Sequence, residues 1–399
     1  MQQVRTINQM PDEGLSTTRL PLHCYVVIAG ATSIILGVLW DISWHRTIGR
    51  DTFWTPAHMA IYLGGVLGGL TCGWLVIKNT FFSNASSKGT EVKLWGFQGP
   101  LGAWISIWGA LAMLTSAPFD DWWHNAYGLD VEILSPPHIV LALGMWAIVL
   151  GALILVLRYQ NAQNSRSENA TRVGSWFFLY AAGILVAMDA TVKIEMSFPN
   201  LQHSLLFYQV SSTGFPLYLL AFSRASQHRW AATLIAAVYM LIYAGMVWVL
   251  PLFPGEPLLG PIVNRVDHFV PLPFPHLLIV PAIALDLLRR VFGDQASRWR
   301  DWYRALVYGV TFLVLFVLVQ WNFSEFMLSP AAENRFFGAN QHWGYSEAQG
   351  PSQTRFWRAV PFDLSNPELR KGFGIALLLS IGFSRLGLAA GGWLRRVQR

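Results

Sequence analysis

Residues 41 to 58, DISWHRTIGRDTFWTPAH, hold three side chains able to bind a metal: Asp41, His45 and His58. Asp41 and His45 are four residues apart, so on a helix both leave the same face, one turn above the other. His58 belongs to the arm that follows. Thr55 suits the capping position of a new helix and Pro56 its first turn, which places His58 where it faces back toward the loop. The positive end of that helix favours a neutral imidazole over imidazolium, and a metal needs the neutral ring. Two imidazoles and a carboxylate from adjacent helix ends make a compact three-ligand site suited to copper, iron or zinc, with positions left for a small molecule. The competing reading is a hydrogen-bonded knot tying two helices together, with Arg50 and Asp51 as an ion pair at the turn.

The pattern returns further along. Asp120 and His124 are again four apart, and Ser135, Pro136, Pro137 and His138 follow as Thr55, Pro56 and His58 did. Asp121 stands beside the second set, and Asp130 and Glu132 lie in its turn as solvated groups or partners that orient an imidazole. A third turn carries Glu195 and His203, with Asn200 as a possible helix cap. A fourth carries Asp267, His268 and His276 among Pro273 and Pro275. Successive helical hairpins, each with an acid near its exit and a histidine just inside its re-entry, suggest internal duplication. Glu195, His203, Asp267, His268 and His276 are second-tier candidates for metal binding or proton relay.

The elements that must position these residues are membrane helices. Hydrophobic residues make up 53% of the 399-residue chain and charged residues 13%, so a soluble globular domain is excluded. Apolar segments near 22–45, 56–78, 95–117, 137–158, 174–196, 201–223, 229–251, 273–291, 302–323 and 372–394 predict an all-α polytopic protein of about ten transmembrane helices arranged as hairpins. The apolar run 20–40 reads as the first of them rather than as a cleaved signal, because cleavage nearby would destroy the motif. Lys and Arg are twice as frequent in the segments on the N-terminal side of the membrane as on the other. The positive-inside rule then puts both termini in the cytoplasm and every acid/His turn on the outer face of a bacterial-type inner membrane. The net charge of +6 therefore reflects topology and anionic lipid, and no nucleic-acid partner is expected. Cys24 and Cys72 lie inside apolar runs and read as small core residues. Asp189 and Lys193, four apart on the fifth segment, form a mutually neutralising pair.

The stretch 41–58 resembles the metal-binding segment of the C subunit of the membrane-bound ammonia and methane monooxygenases, which reads close to D-x-x-W-H-x4-R-D-T-x2-T-P-x-H. The matching residues are Asp41, Trp44, His45, Arg50, Asp51, Thr52, Thr55, Pro56 and His58. The resemblance is strong over 35–65 and weaker to about 145. It implies copper bound by Asp41, His45 and His58, and a second ligand set of Asp120, His124 and His138. Here the chain departs from the family, which carries Asn where Asp120 stands. It also implies A- and B-type partner subunits, with self-assembly as the alternative for this longer chain. Residues 1–158 thus read as a monooxygenase C-subunit-like region of four helices. Residues 159–399 form a further membrane region of about six helices with a long outward loop, 324–371.

Three functions compete. The first is a copper-dependent oxidoreductase of the monooxygenase type, hydroxylating a small apolar substrate, its catalytic residues unassigned. The second is a non-catalytic copper- or zinc-binding protein, permease or assembly factor. The third is a structural subunit. Transport predicts polar positions through the full membrane depth, whereas here they crowd the outer half. No P-loop, dinucleotide fingerprint or cysteine-rich zinc motif is present.

Overall fold

A computed structural model describes residues 20–49, 54–82, 91–127, 135–163, 168–293, 298–339, 344–346 and 365–397. Arg50, Asp51, Thr52, Asp130 and Glu132 lie outside these residues, as do the N-terminal segment and most of the outward loop. Ten long or medium helices follow one another: α1 (Leu22–Thr47), α2 (Pro56–Phe81), α3 (Leu101–Tyr127), α4 (Pro136–Gln163), α5 (Glu168–Val192), α6 (Leu205–Ala225), α7 (Ala231–Val249), α8 (Ile279–Phe292), α9 (Arg298–Met327) and α10 (Pro367–Leu394). Among the described residues nine of these, all but α8, are long and apolar enough to cross a membrane. The chain is therefore an all-α integral membrane protein. Among the described residues the one sheet is a short hairpin, β1 (Val92–Leu94) and β2 (Phe97–Gly99), between α2 and α3.

Two of the predicted hairpins are built on the same device. α1 packs along α2 and α3 along α4. At the first crossing a Cβ on Gly30 would meet the Gly64 carbonyl at 2.9 Å, and one on Gly64 would meet the Gly30 carbonyl at 2.5 Å. At the second, Gly109 and Gly144 stand in the same reciprocal relation, at 2.6 and 2.7 Å. Backbones this close leave no room for a side chain, and small residues at such contacts are what membrane helices use to approach one another. The register is shared as well. Each acid follows its glycine by eleven residues (Gly30 to Asp41, Gly109 to Asp120), and each re-entry histidine precedes its own by six (His58 to Gly64, His138 to Gly144). The duplication seen as a motif is thus also a duplication of helix packing.

The eighth expected span, 273–291, differs. Its helix begins at Ile279 and has 14 residues, about 21 Å of rise against a hydrocarbon core of about 30 Å. The preceding stretch is extended because Pro271, Pro273 and Pro275 alternate along it, and proline neither donates to a helix nor fits inside one. Irregular backbone inside a membrane bundle must be satisfied by protein. The N–H of Val270 donates to Thr47 Oγ1 at 2.8 Å, that of His276 to Tyr239 Oη at 2.9 Å and that of Leu277 to Gln320 Oε1 at 2.9 Å.

The two halves of the chain meet at the exit of α1. Ser43 donates to the Val270 carbonyl at 2.6 Å, the Leu258 N–H to Ile48 at 2.9 Å, and the Tyr345 N–H to Arg46 at 3.0 Å. The connections after α7 and α9 therefore hold the end of the helix that carries Asp41 and His45.

Candidate metal centre

Asp41 and His45 occupy the last two turns of α1, and His58 the first turn of α2. Thr55 caps α2, its hydroxyl accepting the His58 N–H at 3.1 Å, and Pro56 begins the helix as the sequence predicts. The Gly30·Gly64 crossing sets the helices close enough for the two arms to converge. His58 Nε2 lies 3.1 Å from Asp41 Oδ1, and His45 Nε2 lies 3.7 Å from Asp41 Oδ2. One ligand atom from each residue can be chosen so that all lie within 4.8 Å of one another.

These separations are compatible with a metal. Ligands at about 2.0–2.2 Å from a common metal stand roughly 3 to 4 Å apart, and the two Asp41 pairs have that spacing. A knot of hydrogen bonds would show aligned donors and acceptors, yet Asp41 Oδ1 is buried and has no hydrogen-bond partner despite its nearness to His58. An oxygen and a nitrogen this close without a hydrogen bond between them can both serve as ligands. The donor set of two imidazoles and one carboxylate fits copper, iron or zinc. The His45 side chain is 46% exposed, which leaves one side of the trio open to a small molecule. Among the described residues this is the one such trio of His, Cys, Asp and Glu.

The second hairpin reproduces part of this arrangement. His138 Nε2 lies 3.4 Å from Asp120 Oδ1 across the α3/α4 mouth. The other ring nitrogen, Nδ1, is 2.9 Å from Ser135 Oγ, so a hydroxyl fixes the ring with Nε2 toward the acid. Ser135 thus does for the His138 ring what outer partners do for metal-bound histidines generally. The likeness of Ser-Pro-Pro-His to Thr-Pro-Ala-His marks its position in the sequence, though not that role. The His124 side chain lies outside the described residues. Asp121 is exposed and takes a long hydrogen bond from Asn125, 3.4 Å. Alanine at Ser135 is expected to weaken metal binding at this second pair by about 10-fold while leaving the Asp41 trio untouched. Separate metal titrations of Ser135→Ala and wild type read this directly.

The third and fourth turns do not assemble. Glu195 is exposed, whereas His203 is buried against Trp321, with ring centroids 4.5 Å apart, and 3.4 Å from Ser324 Oγ. Burial pushes the His203 pKa below the usual imidazole range. Asp267 and His268 pair with each other at the surface. His276 is in the core, boxed by Phe207, Phe215 and Phe316. α5 makes its main helix contacts with α4 and α7 rather than with α6, so the third hairpin lacks the close crossing of the first two. Asp189 and Lys193 form the expected buried ion pair.

No family model, curated protein or solved structure matches this chain.

Proposed function

We propose that the chain is a membrane metalloprotein, with copper at Asp41, His45 and His58, that oxidises a small apolar substrate in the manner of the ammonia and methane monooxygenases. The observation that carries this reading is the convergence of the trio at a helix-hairpin mouth, with a buried carboxylate oxygen that lacks a hydrogen bond. Asp41 would anchor the ion and offset part of its charge, while His45 and His58 supply the two nitrogen donors. Copper bound there would supply one-electron chemistry toward dioxygen. The exposed flank of His45 leaves an approach for reactants, and the neighbouring Trp44 ring, 5.6 Å from Phe269, would help to exclude water. Asp120 and His138, with His124 on the same helix as Asp120, would form the neighbouring site. The positive-inside bias of the sequence supports an outer-face position for both sites.

The test pairs metal content with turnover. Detergent-purified wild type and a His45→Ala, His58→Ala double variant are loaded with copper. Elemental mass spectrometry is followed by oxygen uptake with a chemical reductant and a short alkane. Copper near one or two equivalents, lower by at least about one in the folded double variant, together with alkane-dependent uptake in wild type alone, supports the reading. Copper without any turnover favours a non-catalytic metal carrier. Unchanged copper in the double variant removes the site altogether.

A further inference from the structure

At the end of the bundle opposite the acid/His hairpins, α6, α8, α9 and α10 meet around a shallow cleft lined by arginines, with about 10 Å³ of internal space. Arg224, Arg289 and Arg304 line it together with Ser223, Tyr308 and Gly293. Arg224 and Arg304 are 3% and 4% exposed, which makes them buried cations. Asp301 is shared between them: its Oδ2 accepts from Arg224 Nη1 at 2.9 Å and its Oδ1 from Arg304 Nη1 at 3.0 Å. Arg289 donates to the carbonyls of Ser226 and His228. The nearby Asp286 is taken up at the start of α7, accepting from the N–H groups of Ala232 and Thr233 and from the Thr233 hydroxyl. Even with both carboxylates counted, the cleft keeps a net positive charge.

The second observation is an unsatisfied donor. Arg224 Nη1 donates to Asp301 and to the Leu388 carbonyl, but the Nη2 group of this buried guanidinium has no partner. An unmade hydrogen bond on a buried charged group is costly. Surplus positive charge in a low-dielectric setting is costly too. The interior beside that group has room for about one water, so an anion sits at the mouth, where it offsets the surplus charge, and guanidinium forks match the geometry of phosphate and carboxylate. Gly293 adds access: its φ of +65° belongs to glycine, and a Cβ there would meet nothing within 4 Å, so the wall offers open backbone rather than a side chain. The position at the helix ends is where headgroup phosphates lie, and basic pockets between transmembrane helices bind such groups.

We propose that the mouth of this cleft, at Arg289 and Gly293, binds a phosphate group, carried by an anionic phospholipid headgroup or as free phosphate. The inference does not depend on the metal reading. It is tested on the full chain with phosphatidylglycerol and inorganic phosphate as probes, against phosphatidylcholine and chloride at equal ionic strength. Native mass spectrometry and thermal unfolding are the readouts. Arg289→Gln is the main variant because it leaves the Arg224–Asp301–Arg304 set in place, and Arg289→Lys keeps the charge. Retention of phosphatidylglycerol by wild type, weakened about tenfold or more in Arg289→Gln and partly restored in Arg289→Lys, is the expected result and identifies the lipid. Stabilisation by inorganic phosphate with the same variant dependence, without lipid retention, supports the site and identifies the free ion. Equal behaviour of both probes and their controls, or of wild type and Arg289→Gln, overturns the proposal.

Discussion

Asp41→Ala is expected to remove metal from the first hairpin, with an affinity loss exceeding about 100-fold, and to leave the metal-free protein at least as stable as wild type. The affinity loss follows from position. Asp41 is the residue that both imidazoles approach, at 3.1 and 3.7 Å, so its removal takes away the single anionic ligand and the centre of the trio. Loss of a mere outer partner of a ligand already costs about 10- to 100-fold. The stability half of the prediction separates the metal site from the hydrogen-bonded knot. A structural ion pair broken from one side leaves a stranded buried group and lowers stability. A carboxylate oxygen that is buried without a hydrogen bond is instead a cost to the metal-free fold, of the kind functional sites carry. Metal titration followed by elemental analysis, with unfolding measured after chelation, checks both halves. A metal-free variant clearly less stable than metal-free wild type would restore the knot. Asp120→Asn gives a contrast, since the resemblance places Asn at that position, and second-site binding is expected to survive there.

What could be read from the chain before folding was local. Asp41 and His45 share a face because of helical spacing, and Thr55 and Pro56 start α2 by rules that act within one turn. The second hairpin was legible for the same reason. The third and fourth resembled it in residue types only. Ile184 and Gln209 stand where the shared register would need the crossing glycines of a third copy, so α5 and α6 lack the reciprocal glycine crossing of the first two hairpins, and exposed Glu195 does not join buried His203. Hydropathy also treated 273–291 as one apolar window, although Pro271, Pro273 and Pro275 remove alternate backbone donors and leave only Ile279–Phe292 helical. Apolarity and helicity are different properties, and proline separates them.

Contacts between distant parts of the chain were beyond reach. Nothing local in the sequence links Arg224 to Asp301, and their pairing across 77 residues depends on the packing of α6 beside α9 and α10. Tyr345, in the long outward loop, gave no sign that its backbone would hold Arg46 and so the end of α1. That contact bears on function. The first hairpin carries the candidate ligands, but the loops after α7 and α9 fix the helix end on which two of them sit. The region 159–399, which the resemblance leaves uncovered, therefore supports the site even though its own acid/His turns do not form one.

The crossing glycines give the largest expected stability effect. Gly64→Ala places a Cβ 2.5 Å from the Gly30 carbonyl and 2.5 Å from Ile34 Cγ1. A backbone oxygen cannot rotate away as a side-chain tip can, so α1 and α2 must separate, at a cost of about 1–3 kcal/mol. The separation acts on the same two helices that bring His58 to Asp41, so metal affinity falls together with stability. Gly73 on the same helix is the control: a Cβ there meets nothing within 4 Å. Alanine at Gly73 is expected to be neutral or to stabilise by up to about 1 kcal/mol through helix propensity. Unfolding of the two variants in mixed detergent, with metal titration alongside, gives changes of opposite sign if helix approach governs the site. Equal stability of Gly64→Ala and Gly73→Ala would mean that the crossing tolerates a methyl group. The shared eleven- and six-residue spacings would then have no mechanical meaning, and the duplication would be one of motif alone.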